Sequence, residues 1–408
     1  YKGYYEGLLN MRPAAVSELA EALCKLFLGY FAAYFTVRLT GDVALGAAAA
    51  IFGITVGTAA AALYLWLYNR IKGDGITARQ IAESPEREEG TVAVKGLMLI
   101  SLSVAAASLS SNIPLIADAV TVKRSLSGLD YEALSGIRHI YAAGYSVSDI
   151  SVSQLPTFLY GVKSKAYTLY NLVPSFVSVL AVGSVPVISA CFAAKDWERL
   201  NININSALKL SGVISFPAGV GIIVLNSRIT ALLYGGAYPS GAADMAALFG
   251  AAALFAGPAV LLTAVLQAVG KHNRALVNIA IGTVIKFCVN LTVGIESVNI
   301  NGAALGTLAF YAAVCLLNIF SLIGIKIKPD ITGSIIKPFV AAAVCGAAAY
   351  AVSLVSRGKT AALFAILIAA LVYLIMLFSL KVLNESDFNL LTKSETAVKF
   401  CRKHRIIS

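Results

Sequence analysis

Hydrophobic positions in this chain come in blocks of about twenty residues and do not alternate with polar ones. Ten blocks stand out, at 14–38, 43–68, 96–120, 166–190, 206–225, 245–268, 276–296, 303–325, 336–355 and 361–381. Each is long enough to cross about 30 Å of hydrocarbon as a helix. Helices are required there, because lipid offers no partner to a backbone N–H or C=O. Strands of a lipid-embedded barrel would be half as long and would alternate in polarity, whereas runs such as AAAALYLWLY at 59–68 do not. The pattern predicts an all-α polytopic membrane protein.

Composition agrees. The 408 residues are 58% hydrophobic and 13% charged, with mean hydropathy +0.80. A soluble domain carries about a quarter of its residues charged, so this chain needs lipid as part of its solvent. Abundant Gly and Ala permit close helix approach there.

A net charge of +11 raises nucleic acid as a partner, but the distribution makes that a poor second reading. Ten crossings put alternate loops on one side with both termini. Of 32 Lys and Arg, eighteen fall on that side and eight on the other, five of these in the gap 121–165. The positive-inside rule then predicts both ends of the chain to be cytoplasmic, in the cell membrane. The six Cys are not at metal-ligand spacing and the three His are scattered. Free thiols, no metal, no cofactor and no catalytic constellation are expected.

The widest cytoplasmic gap, 69–95, is polar and of mixed charge and reads as a linker between bundles. The gap 121–165 reads as a short surface helix with turns, and 382–408 as a basic cytoplasmic tail. Shifting 6–28 by 261 residues lays it over 267–289 and brings Ala14 onto Ala275, Val16 onto Val277 and Lys25 onto Lys286. Both stretches run from a helix end through an Arg-containing turn into a helix with one deep Lys. Read as an internal repeat, this predicts that the first bundle lacks the four helices that precede 276–296 in the second.

Charges inside the apolar blocks are the candidate functional groups, because each costs about 2.5–3.5 kcal/mol to insert at mid-membrane. Lys25 and Lys286 are the deepest. Glu21 precedes Lys25 by four residues, a spacing that allows an intrahelical pair. Lys286 has no acidic residue at helical spacing in its own block, so it must snorkel, find a partner on another helix or face a hydrated cavity. Asp118 closes a polar stretch holding Ser108, Ser110, Ser111 and Asn112, which either join helices or line a hydrophilic path. Lys209, near a cytoplasmic helix end, is expected to snorkel.

KGYYEGLLNMRPAAVSELAEAL at 2–23 and the stretch from YGVKSKAYTLYNLVPSF through VPVISACFAAKDWERL to FPAGVGI at 160–222 carry a resemblance. They are similar to hallmark segments of the stage V sporulation protein B family, relatives of lipid II and O-antigen flippases. These belong to the multidrug/oligosaccharidyl-lipid/polysaccharide exporter superfamily. The resemblance implies two six-helix lobes around a central cavity, plus two extra C-terminal helices, fourteen in all. This chain would supply the last ten: a remnant of the N-terminal lobe at 1–68, a linker at 69–95, the C-terminal lobe at 96–325 and the extra pair at 336–381. The family also places a basic residue near the start of the second lobe's second helix, where Lys163 and Lys165 are the nearest candidates.

The implied function is a flippase, not an enzyme. It would move a lipid-linked oligosaccharide or peptidoglycan precursor across the membrane by alternating access, with membrane lipids around the polyprenyl tail. No glycine-rich nucleotide-binding loop is present, so a coupling ion or the membrane potential would supply the energy. A cation-coupled multidrug antiporter of the same superfamily is the first rival. A membrane-embedded glycosyltransferase is the second, but Asp130, Glu132, Arg138 and His139 of the external gap form no recognisable catalytic set.

Overall fold

A computed structural model describes residues 1–7, 11–73, 94, 98, 112–142, 151–235, 243–295, 297–325, 327, 329–355, 359–383 and 387. All regular structure among them is helical. Nine helices of the described residues are long and apolar enough to cross a membrane. Most of the block at 96–120 lies outside the described residues. The chain divides into two compact units, Tyr1–Leu97 and Met98–Ser408.

Unit 1 is a helical hairpin with a short leading helix. The helices are α1 (Lys2–Gly7), α2 (Met11–Thr40) and α3 (Val43–Lys72). The turn between α2 and α3 uses Gly41 at φ 71°, a conformation glycine adopts at little cost. Asp42 then caps α3, accepting from Ala44 N at 2.7 Å. Halfway up, the two backbones nearly touch. A Cβ on Gly53 would lie 2.5 Å from Gly29 Cα, and one on Gly57 2.9 Å from Lys25 Cγ. Small residues thus set the approach, as expected where no hydrophobic force separates helices from lipid. Tyr5 is buried, its hydroxyl 3.0 Å from Asn69 Oδ1 and its ring edge-on to Tyr68.

Unit 2 contains α4 (112–127), α5 (Tyr131–Ala142), α6 (Leu155–Ala193), α7 (Trp197–Tyr234), α8 (Ala243–Ala268), α9 (His272–Asn290), α10 (Asn301–Ile323), α11 (Lys337–Val355) and α12 (Lys359–Ser379). Helix α8 is the most buried and packs against α6, α7 and α10. Gly219 and Gly250 let α7 and α8 approach until a Cβ on either would meet the other's carbonyl oxygen within 3 Å. Helices α11 and α12 pack on each other and on α7 through Phe216, Ala342, Ala349 and Tyr373. The Tyr373 hydroxyl donates to Val213 O at 3.0 Å.

Two helices outrun their apolar blocks by more than ten residues. The block at 166–190 becomes a helix from Leu155, with Pro156 in its first turn where no N–H is missed. Its 39 residues span about 58 Å. Lys163 and Lys165, read as external-gap residues, therefore sit inside a helix. The block at 206–225 becomes Trp197–Tyr234, capped by Asp196 accepting from Arg199 N at 3.1 Å. Hydropathy marks contact with lipid, whereas caps and backbone hydrogen bonds mark the helix.

Candidate functional site

The most deeply buried ionic group of unit 2 forms around Asp118 on α4. Lys163 of α6 donates to Asp118 Oδ2 at 2.8 Å, and Lys286 Nζ of α9 lies 3.1 Å from the same oxygen. Asn290, one turn beyond Lys286 on the same face, donates to Asp118 Oδ1 at 2.7 Å and lies 3.2 Å from Thr121 Oγ1. The ionic side chains are 0–4% exposed. One carboxylate thus joins three helices and formally neutralises one of two lysines, which leaves a formal surplus of one positive charge among the described residues. Charge-assisted hydrogen bonds make such a carboxylate tolerable out of water, but a surplus buried charge carries a desolvation penalty of several kcal/mol.

Aromatic rings surround the cations. Lys163 Nζ lies 5.2 Å from the ring centroids of both Tyr160 and Tyr167, and Lys286 Nζ 5.9 Å from that of Phe310. Ring quadrupoles attract cations at these distances. Gly306 of α10 makes room behind Asn290. A Cβ there would fall 2.1 Å from Asn290 Oδ1 and 3.2 Å from Lys286 O. Asn290 Oδ1 and Tyr170 Oη are buried without a hydrogen-bond partner among the described residues.

Of the residues singled out in the sequence, Asp118, Lys163 and Lys286 come together, and Lys286 finds its partner on another helix. Lys165 does not join them. Its ammonium lies over Tyr234 at 5.7 Å. Asn112 is exposed at the start of the described part of α4, and Ser110 lies outside the described residues. In unit 1, Lys25 and Glu21 form the intrahelical pair at 2.6 Å, and Thr58 of α3 donates to Glu21 at 3.1 Å. The expectation that Lys209 snorkels is corrected. It is 7% exposed and pairs with Asp387 at 2.9 Å, and it lies well inside α7, whose first residue is Trp197. Asn290 and Thr121 escaped sequence reading. The signal was available, since Asn290 follows Lys286 at helical spacing.

Residues 139–292, which include Lys163, Lys286 and Asn290, match the MatE family model. The chain is 26% identical to the uncharacterized membrane protein YabM of Bacillus subtilis over 79% of its length. It is 26% identical over 80% to stage V sporulation protein B, and 23% identical over 77% to lipid II flippase MurJ, of the same organism. The chain spans 55–59% of the length of these relatives. The fold is that of a solved lipid II flippase MurJ in an inward closed conformation, with TM-score 0.56 and 15% identity over 91% of this chain and 69% of that one. The nine apolar helices among the described residues and these membrane-protein relatives make the chain part of a multi-pass membrane protein, similar in sequence to stage V sporulation protein B and to MurJ.

Proposed function

We propose that the protein carrying this chain is a flippase that moves a lipid-linked oligosaccharide or peptidoglycan precursor across the cytoplasmic membrane by alternating access. The observation that carries the reading is the pair of lysines, Lys163 and Lys286, both within the stretch that matches the MatE model and both held on the one carboxylate of Asp118. A head group joined through phosphates is anionic and cannot cross hydrocarbon unaided. When α6 and α9 part, Asp118 can stay with only one lysine. The other becomes an unpaired cation, which the head group compensates. The tail stays in lipid, beside the pair α11 and α12. In this reading 1–68 belongs to an N-terminal lobe, 96–325 is the C-terminal lobe, and both ends of the chain face the cytoplasm. An ion gradient or the membrane potential drives the cycle.

The test is translocation of a fluorescent lipid-linked sugar head group in vesicles holding the complete protein. Lys163→Ala and Lys286→Ala are expected to abolish it. Drug efflux in place of head-group translocation would favour the multidrug antiporter.

A further inference from the structure

A second feature of unit 2 lies just beyond the cluster. Helices α6, α8, α9 and α10 line a cavity of about 390 Å³ that is open on one side. Its wall is mostly apolar, with Ala181, Val185, Ala264 and Val314, and it carries four separated polar groups, on Ser178, Thr263, Gln267 and Tyr311. A few polar groups on an apolar wall are the usual make-up of a small-molecule site. Phe310 also lines it. The Lys286 ammonium sits over that ring at 5.9 Å, yet Lys286 is buried and does not line the cavity. One aromatic ring therefore separates an apolar cavity from a cluster with a surplus positive charge. At this range the formal surplus biases the cavity toward anions.

We propose that this cavity binds a single-chain amphipathic anion, with its chain against the apolar wall and its anionic end at Phe310, facing the field of Lys286. The occupant differs from the flippase substrate in having one short chain, and the proposal stands whether or not the protein flips lipid-linked sugars. The uneven wall selects it: the apolar surface takes the chain, and the charge behind Phe310 selects its sign.

The experiment uses the complete protein in phosphatidylcholine nanodiscs and a decyl phosphate with a terminal diazirine. Cross-links mapped by mass spectrometry are expected on 178–185, 259–267 and 310–314. Unlabelled decyl phosphate should compete about tenfold better than decyl maltoside. Lys286→Met should bring the two competitors level, and Ala264→Trp, which fills the cavity, should remove the cross-links. Should Ala264→Trp fail to fold, Val182→Trp at the exposed rim blocks the mouth instead and is expected to give the same loss. Cross-links elsewhere, equal competition by both amphiphiles in the unsubstituted protein, or labelling that survives the blocking substitution would overturn the proposal. Translocation is not measured, so failure here is separate from failure of the flippase reading.

Discussion

Replacing Asp118 by Asn removes the one negative charge of the buried cluster while nearly conserving shape. The charge count then passes from one carboxylate and two ammonium groups to two ammonium groups alone, at positions 0–4% exposed. Leaving a buried ion without its partner costs about 3–5 kcal/mol. The lysine substitutions act in the opposite sense. Lys286→Met leaves Lys163 donating to Asp118 at 2.8 Å and Asn290 donating at 2.7 Å, a neutral and well-bonded remainder. Lys163→Met leaves the Lys286 pair at 3.1 Å, also neutral. Replacing a buried ion by an apolar side chain of similar volume is often neutral or stabilising, so each Lys→Met variant should fall within about 1 kcal/mol of the unsubstituted protein. The assay is equilibrium unfolding in mixed micelles, followed by far-ultraviolet circular dichroism against the mole fraction of dodecyl sulfate. An Asp118→Asn protein as stable as the unsubstituted one, or Lys→Met variants as unstable as Asp118→Asn, would refute the charge argument.

Gly306→Ala places a Cβ 2.1 Å from Asn290 Oδ1. It is expected to displace that amide from Asp118 at a cost of about 1–3 kcal/mol, read in the same unfolding assay. Gly53→Ala puts a Cβ 2.5 Å from Gly29 Cα, where backbone cannot yield. Cysteine pairs placed across α2 and α3 should then cross-link more slowly than in the parent hairpin. Asp387→Asn strands Lys209, which is otherwise held at 2.9 Å. A loss of about 3–5 kcal/mol is expected, with Lys209→Met/Asp387→Asn recovering most of it.

Helix existence was legible in the sequence because burial in lipid and helix formation demand the same long apolar run. Helix ends were less so. The stretch LPTFLYGVKSKAY mixes lysines with apolar residues, so hydropathy ends before the helix does, and Pro156 marks the true start. Lys163 and Lys165 could not be ranked from sequence. Two residues apart on a helix they point to different sides, one to Asp118 and the other to Tyr234. The need of Lys286 for a partner on another helix was legible as a solvation requirement. Its identity was not, since Asp118 lies on α4 at the far end of unit 2's chain and only packing brings the two together. Lys209 shows the limit of reading depth from position in a block. The helix outran the block, and a residue near an apparent end became an interior one.

The central claim is that Lys163 and Lys286 serve an anionic, lipid-linked head group. Its most direct test is the rate of head-group translocation by the complete protein in vesicles, compared among the unsubstituted protein, Lys163→Met and Lys286→Met, with unfolding measured on the same preparations. The account predicts that both substitutions leave the fold intact and stop translocation. Translocation at the unsubstituted rate by either folded variant would contradict it.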